Sequence, residues 1–110
     1  MTTVTIEEMK LALLREEIVP RLEKAVANLD KLAACAKDKG QIVLEARLSN
    51  KAKGFQKVID DQGERLTFAR NERDALVITE FIRITAENET NEATKSGMLM
   101  GRDYVFGYLR

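Results

Sequence analysis

The most regular hydrophobic pattern in the chain is a row of apolar residues between positions 11 and 36. Its members, called here the N-terminal seam, are Leu11, Leu14, Ile18, Leu22, Ala25, Leu29, Leu32 and Ala36. They recur at steps of three and four residues, which places all of them on one face of a helix. The pattern therefore predicts a helix that packs against other helices along most of its length.

Local signals set the ends of this first helix. Thr5 followed by Glu8 forms a capping box, and Gly40 can take the left-handed conformation that ends helices. They predict a helix over residues 6–38, about 50 Å long at the usual rise. Pro20 lies inside it and removes one backbone hydrogen bond, but the seam keeps its phase across the proline. We therefore expect one kinked, continuous helix.

The centre of the chain, residues 41–70, fits two structures. Apolar and polar residues alternate over 41–48, and a turn-like segment at 61–64 separates two strand-like segments. These features favour a β-hairpin. A second helix is the alternative, because apolar positions from Leu44 to Leu66 also follow helical spacing. The glycines inside such a helix would cost about 1 kcal/mol each, so the hairpin is preferred.

The remainder of the chain, residues 72–109, is predicted to return as one helix or a helix pair. Asn71 is its N-cap, and the apolar positions of its first part are Val77, Ile78, Phe81, Ile82 and Thr85. The predicted fold is thus a mainly α, α+β single domain over residues 1–110. It consists of a long kinked N-terminal helix, a central hairpin-like segment and a helical return, and it is expected to be oligomeric.

Composition excludes most catalytic sites. The chain has no histidine and no tryptophan, and its 18 basic residues balance its 18 acidic ones. Neither a Ser-His-Asp triad nor a zinc site can be assembled, so we expect no enzyme, metal or cofactor. The single cysteine, Cys35, is expected to be a buried thiol. With no apolar run long enough for a membrane and no signal-peptide pattern at residues 1–4, the expected location is a host cytoplasm or a virion.

Two candidate surfaces follow from the pattern. The predicted oligomer interface comprises Leu11, Leu14, Ile18, Leu22, Leu29, Leu32, Gly97, Gly101, Tyr104 and Tyr108. The two glycines, four residues apart, would let a second helix approach closely, and the two tyrosines continue the same face. The expected partner is therefore another copy of the chain, followed by other proteins.

A second candidate surface is basic. Arg47, Lys51, Lys53 and Lys57 surround Phe55 with no acidic residue among them, a composition that suits phosphate or single-stranded nucleic acid. This is the basis of the alternative function, a small nucleotide- or nucleic-acid-binding regulator or anti-defence factor. Lysines on a turn or an edge strand also prevent pairing between sheet edges, and because the chain has no net charge this role is the preferred interpretation.

The ending at residues 95–109, rich in glycine and aromatic residues, resembles the closing helix of short bacteriophage-encoded proteins. The order of helix, hairpin and helix is similar to that of prefoldin-type chaperone subunits. The first resemblance implies a virion component, assembly component or accessory factor. Together with the seam, it favours a non-enzymatic protein that forms homo-oligomers and acts through protein–protein surfaces.

Overall fold

The computed structural model describes residues 3–110 and folds them into four helices. They are α1 (Ile6–Asp38), α2 (Ile42–Thr67), α3 (Glu72–Glu87) and α4 (Glu92–Leu109). Helices α1 and α2 form a long helical hairpin, and α4 packs against α1, α2 and α3. The described residues extend over 60 × 27 × 20 Å. Met1 and Thr2, part of the stretch inspected for a signal peptide, lie outside the described residues.

Helix α1 has the bounds that the sequence predicts, and its ends form for the predicted reasons. The Glu8 amide donates to the Thr5 hydroxyl oxygen at 3.1 Å. At the other end Gly40 has φ of 70°, and its amide donates to the Lys37 carbonyl at 3.0 Å. The helix continues through Pro20, as the unbroken phase of the seam indicates.

The predicted β-hairpin over residues 41–70, and with it the α+β class, is wrong. Residues 42–67 form the single helix α2, and the structure contains no strand between residues 3 and 110. The helical alternative was the right one, because Ala52, Phe55 and Leu66 lie on one buried face. The polar segment 61–64 is a helical turn rather than a hairpin turn.

A glycine-to-glycine crossing explains why α2 carries a glycine that its helix propensity disfavours. A Cβ atom on Gly54 would lie 2.8 Å from the Met98 amide nitrogen and closer still to the Thr94 carbonyl oxygen. A Cβ atom on Gly97 would lie 3.1 Å from the Cα of Gly54 and overlap the Lys51 carbonyl. The α2 and α4 backbones are therefore in direct contact, and both positions require glycine.

The main core fills only one end of the long hairpin. It comprises Leu11, Leu14, Ile18, Leu22, Phe55, Val58, Leu66, Ala69, Ala75, Ile78, Ile82, Ala86, Met98 and Val105. Towards the Gly40 turn, α1 and α2 are joined instead by small buried residues such as Ala33, Ala36 and Ala52, which lie outside this cluster. The structure thus has a packed body and a thinner two-helix arm.

The glycine crossing gives a matched pair of substitutions within α2. We expect Gly54→Ala to lower the free energy of unfolding by about 3 kcal/mol, because the methyl group overlaps backbone atoms that cannot move independently. Gly63→Ala should raise that free energy by about 0.5–1 kcal/mol. Its Cβ would meet only the Val19 and Ile59 side chains, at 3.5 and 3.6 Å. Urea unfolding followed by circular dichroism measures both, and equal stabilities would contradict the crossing.

Candidate protein-interaction surface

The apolar residues predicted as an oligomer interface on α1 are placed mostly inside the chain. Leu11, Leu14, Ile18 and Leu22 belong to the main core, and Leu29 is partly buried against it. Leu32 is 53% exposed. The buried members of the seam hold α1 to the other helices of the same chain. Of the predicted interface residues on α1, Leu32 is left exposed to solvent.

The glycines of the predicted interface also face the chain itself. Gly97 forms the crossing with α2, and a Cβ atom on Gly101 would meet Val58 at 3.2 Å and Leu22 at 3.6 Å. The spacing of four residues does permit close helix approach, as expected. The helices that approach are α2 and α1 of the same chain.

The two tyrosines are engaged with α1. The Arg21 guanidinium lies 4.7 Å from the Tyr104 ring centroid and 5.7 Å from that of Tyr108. The Tyr108 hydroxyl donates to the Glu17 carboxylate at 3.1 Å. Tyr104 also lies 5.5 Å from the Phe55 ring, centroid to centroid. These contacts fix α4 to α1 and occupy the ring faces that a base or peptide would need.

The four basic residues of the second candidate surface are spread around α2. Arg47 and Lys51 lie one helical turn apart, and so do Lys53 and Lys57, but the two pairs point to different sides of the helix. Along the axis, Arg47 and Lys57 are separated by about 15 Å. Lys57 is also paired with the Glu89 carboxylate at 2.6 Å. The helix does not gather these cations into one patch, so nothing in their arrangement favours nucleic-acid binding.

Other chemistry leaves little trace in the structure. Within residues 3–110 there is no group of three or more metal-ligating side chains close enough to hold a metal ion. Cys35, expected to be buried, is exposed because it lies beside the seam rather than in it. None of the described helices combines the length and apolar character required to cross a bilayer.

Large apolar side chains left in solvent cluster around α3, besides those of Val4, Ile6, Met9 and Leu13 near the start of α1. Val77, Phe81 and Ile84, called here the α3 stripe, are exposed at steps of four and three residues. Phe68, just beyond the end of α2, is 72% exposed. The opposite face of α3 is buried in the core. This helix therefore has two apolar faces, and the chain covers only one of them.

An open groove of about 360 Å³ lies beside the stripe, between α3 and the end of α2. It is lined by Arg65, Phe68, Ala69, Arg70, Asp74, Val77, Ile78 and Phe81. The Arg65 guanidinium lies 5.8 Å from the Phe81 ring centroid. The groove thus combines an apolar floor with arginines at its rim.

Charged side chains along α3 are arranged in ion pairs. The Arg70 backbone amide and guanidinium both donate to the Asp74 carboxylate, which lowers the pKa of Asp74. Arg83 donates to Glu80 and Glu87, and its hydrogen bond lowers the pKa of Glu80. Asp74 and Glu80 therefore remain ionised at neutral pH. The two ends of α3 consequently differ in the charges they present.

A second group of exposed apolar residues lies at the Gly40 turn. Ile42, Val43 and Leu44 occupy the first turn of α2 and are all exposed. They are separated from Phe68 by the length of α2, about 38 Å. The body and the arm thus each carry an apolar surface.

Part of the α3 surface was present in the sequence pattern. The sequence pattern puts Val77, Ile78, Phe81, Ile82 and Thr85 on one apolar face, of which the structure buries only Ile78 and Ile82. The missed signal is that α3 carries two rows, one including Ile78 and Ile82 and the other comprising the stripe. A 16-residue helix that is apolar on two sides requires two neighbours.

Comparison with protein-family models, curated proteins and solved structures finds no match to this chain. Its function must therefore be argued from its own residues.

The Lys57–Glu89 pair gives a pH-dependent prediction. The hydrogen bond from Lys57 lowers the pKa of Glu89 below its ordinary value of 4.5, so the pair stabilises the folded chain above that pH. This stabilisation is lost as the pH falls through the lowered pKa. We expect Glu89→Gln to be less stable than wild type at neutral pH, and the difference to shrink in acid.

Thermal unfolding measured between neutral pH and pH values below the ordinary carboxyl pKa tests this. Glu64→Gln, at an exposed position on α2, is the control and should run parallel to wild type. A difference between Glu89→Gln and wild type that stays constant with pH would show that the pair does not form.

Proposed function

We propose that this protein is a non-enzymatic helical protein that associates with copies of itself and acts through protein–protein surfaces. The observation that supports the proposal most directly is the α3 stripe together with Phe68. Large apolar residues grouped on one surface of a folded chain are typical of protein interfaces. Their position beside a groove gives a partner side chain a place to bind.

The absence of a catalytic constellation in the sequence supports the non-enzymatic part of the proposal. With no histidine in the chain, acid–base chemistry would depend on carboxylates, lysines or tyrosines. The carboxylates with shifted pKa values, such as Glu80 and Glu89, have lowered values and are held by surface ion pairs. Such pairs stabilise helices and contacts between them, but they do not supply a proton donor near neutral pH.

The biological setting that we propose is a bacteriophage virion or its assembly, inside the host cytoplasm. It rests on the resemblance of the segment 95–109 to phage-encoded proteins. A virion or accessory protein that works by assembly would need an interaction surface of the kind found on α3. Other proteins of the same assembly could bind at the exposed residues of the Gly40 turn.

Removing apolar area from the α3 stripe tests this function. We expect Phe81→Gln/Ile84→Gln to weaken self-association at least tenfold, since it replaces two apolar side chains that are 43% and 45% exposed. Light scattering and sedimentation velocity over a concentration series give the dissociation constant. Glutamine is used because it keeps helix propensity and adds no charge.

The matched control is Leu13→Gln/Leu32→Gln on α1, where the two leucines are 47% and 53% exposed. It removes a similar apolar area from α1 instead of α3 and should leave association unchanged. A wild-type protein that stays monomeric up to near-millimolar concentration would refute the proposed function. Equal weakening by both double variants would show that α3 is not the interface.

A further inference from the structure

One flank of the α3 stripe carries charged residues at seven-residue intervals. Arg73, Glu80 and Glu87 lie in line along the helix, next to Val77, Phe81 and Ile84. Arg73 is near the start of α3, and Glu87 is its last residue. The flank is therefore basic at one end and acidic at the other.

We infer that two copies of the chain pair through antiparallel α3 helices about a two-fold axis near Glu80, an inference that rests on the proposed self-association. In this arrangement Arg73 of each copy faces Glu87 of the other, and the symmetry makes the contact twice. A parallel pair would place Arg73 beside Arg73 and Glu87 beside Glu87. The opposed helix dipoles also favour the antiparallel pair.

The apolar residues fit the same axis. About the axis near residue 80, each Phe81 lies level with residue 79 of the second copy, within one helical turn of that copy's Val77 and Phe81. Ile84 of the second copy then lies level with residue 76, between the groove-lining residues Asp74 and Val77. The groove of about 360 Å³ has room for this side chain, and the contact covers Phe68.

Glu80 lies close to the axis and meets its own symmetry mate there. Its ion pair with Arg83 places a positive charge beside each of the two carboxylates. Arg83 also holds Glu87 on the same side of the helix. The centre of the pair thus holds two carboxylates, each paired with an arginine of its own chain.

The other apolar surface of a second copy, at the Gly40 turn, is a poorer occupant of the groove. It carries three basic residues, Lys37, Lys39 and Arg47, against two acidic ones, and would bring this excess of positive charge towards Arg65 and Arg70. Such a head-to-tail contact also does not close on itself and would produce filaments. The two-fold pair brings opposite charges together, and its symmetry closes at a dimer.

Cysteine cross-linking in a Cys35→Ser background tests the orientation. Arg73→Cys and Glu87→Cys are made as separate proteins, so that each can be oxidised alone and in a mixture. Within one chain the two positions are about 21 Å apart, too far for a disulfide. We expect mild oxidation to link the two variants only when they are mixed. Mass spectrometry identifies the product as one chain of each, and each variant alone should stay unlinked.

Linking of each variant with itself would show a parallel pair and overturn the inference. Failure of every mixture to link, with dimers still seen by light scattering, would place the contact elsewhere and also overturn it. Absence of dimers for the Cys35→Ser parent would instead refute the proposed function, so the two failures are distinguishable.

Charge reversal gives an independent readout. Arg73→Glu and Glu87→Lys should each weaken the dimer about three- to tenfold, since each reverses two exposed charge contacts. The combined variant should restore wild-type affinity. Glu16→Lys, an exposed change on α1, is the control. Unchanged affinity in both single variants would contradict the antiparallel arrangement.

Discussion

The direct backbone contact between Gly54 and Gly97 is the constraint on which the arrangement of the four helices depends. With side chains at either position, α4 could not lie close to α2, and Met98 could not reach the core. The same approach fixes where Gly101 and Tyr104 meet α1. Because α3 packs mainly against α4, the position of α3 follows from this contact as well. Two residues without side chains thus determine the shape of the body.

The two apolar faces of α3 have different surroundings. Ile78 and Ile82 contribute to the core, whereas Val77, Phe81 and Ile84 remain in solvent. An amphipathic helix on a protein surface normally turns polar residues outward, and here that side carries ion pairs only along its flank. The proposed pairing of copies explains this composition. It gives the outer face a neighbour and brings charges of opposite sign together.

Much of the helical structure could be predicted from local signals. Thr5, Gly40 and Asn71 act through hydrogen bonds and backbone conformations that involve only nearby residues. Whether residues 41–70 form a helix could not be predicted in this way. The effect of Gly54 on the stability of that helix depends on its contact with Gly97, 43 residues later in the sequence. Glycine has a low intrinsic helix propensity, so Gly54 disfavours a helix locally. Only tertiary packing offsets that unfavourable contribution. The surface left for partners could not be predicted locally either, because the seam indicates a packed face but not which helix covers it.

The thin arm has a consequence for the motions of the chain. Beyond Leu29 the buried residues of α1 are small ones, Ala33 and Ala36, which bury little apolar area. Opening the arm therefore exposes far less surface than opening the body, and it leaves the Gly54–Gly97 contact intact. Amide protons near the Gly40 turn should exchange with solvent through such local openings. Those around Leu14 should exchange only through global unfolding. A single helix, α1, thus passes through two regions of different local stability.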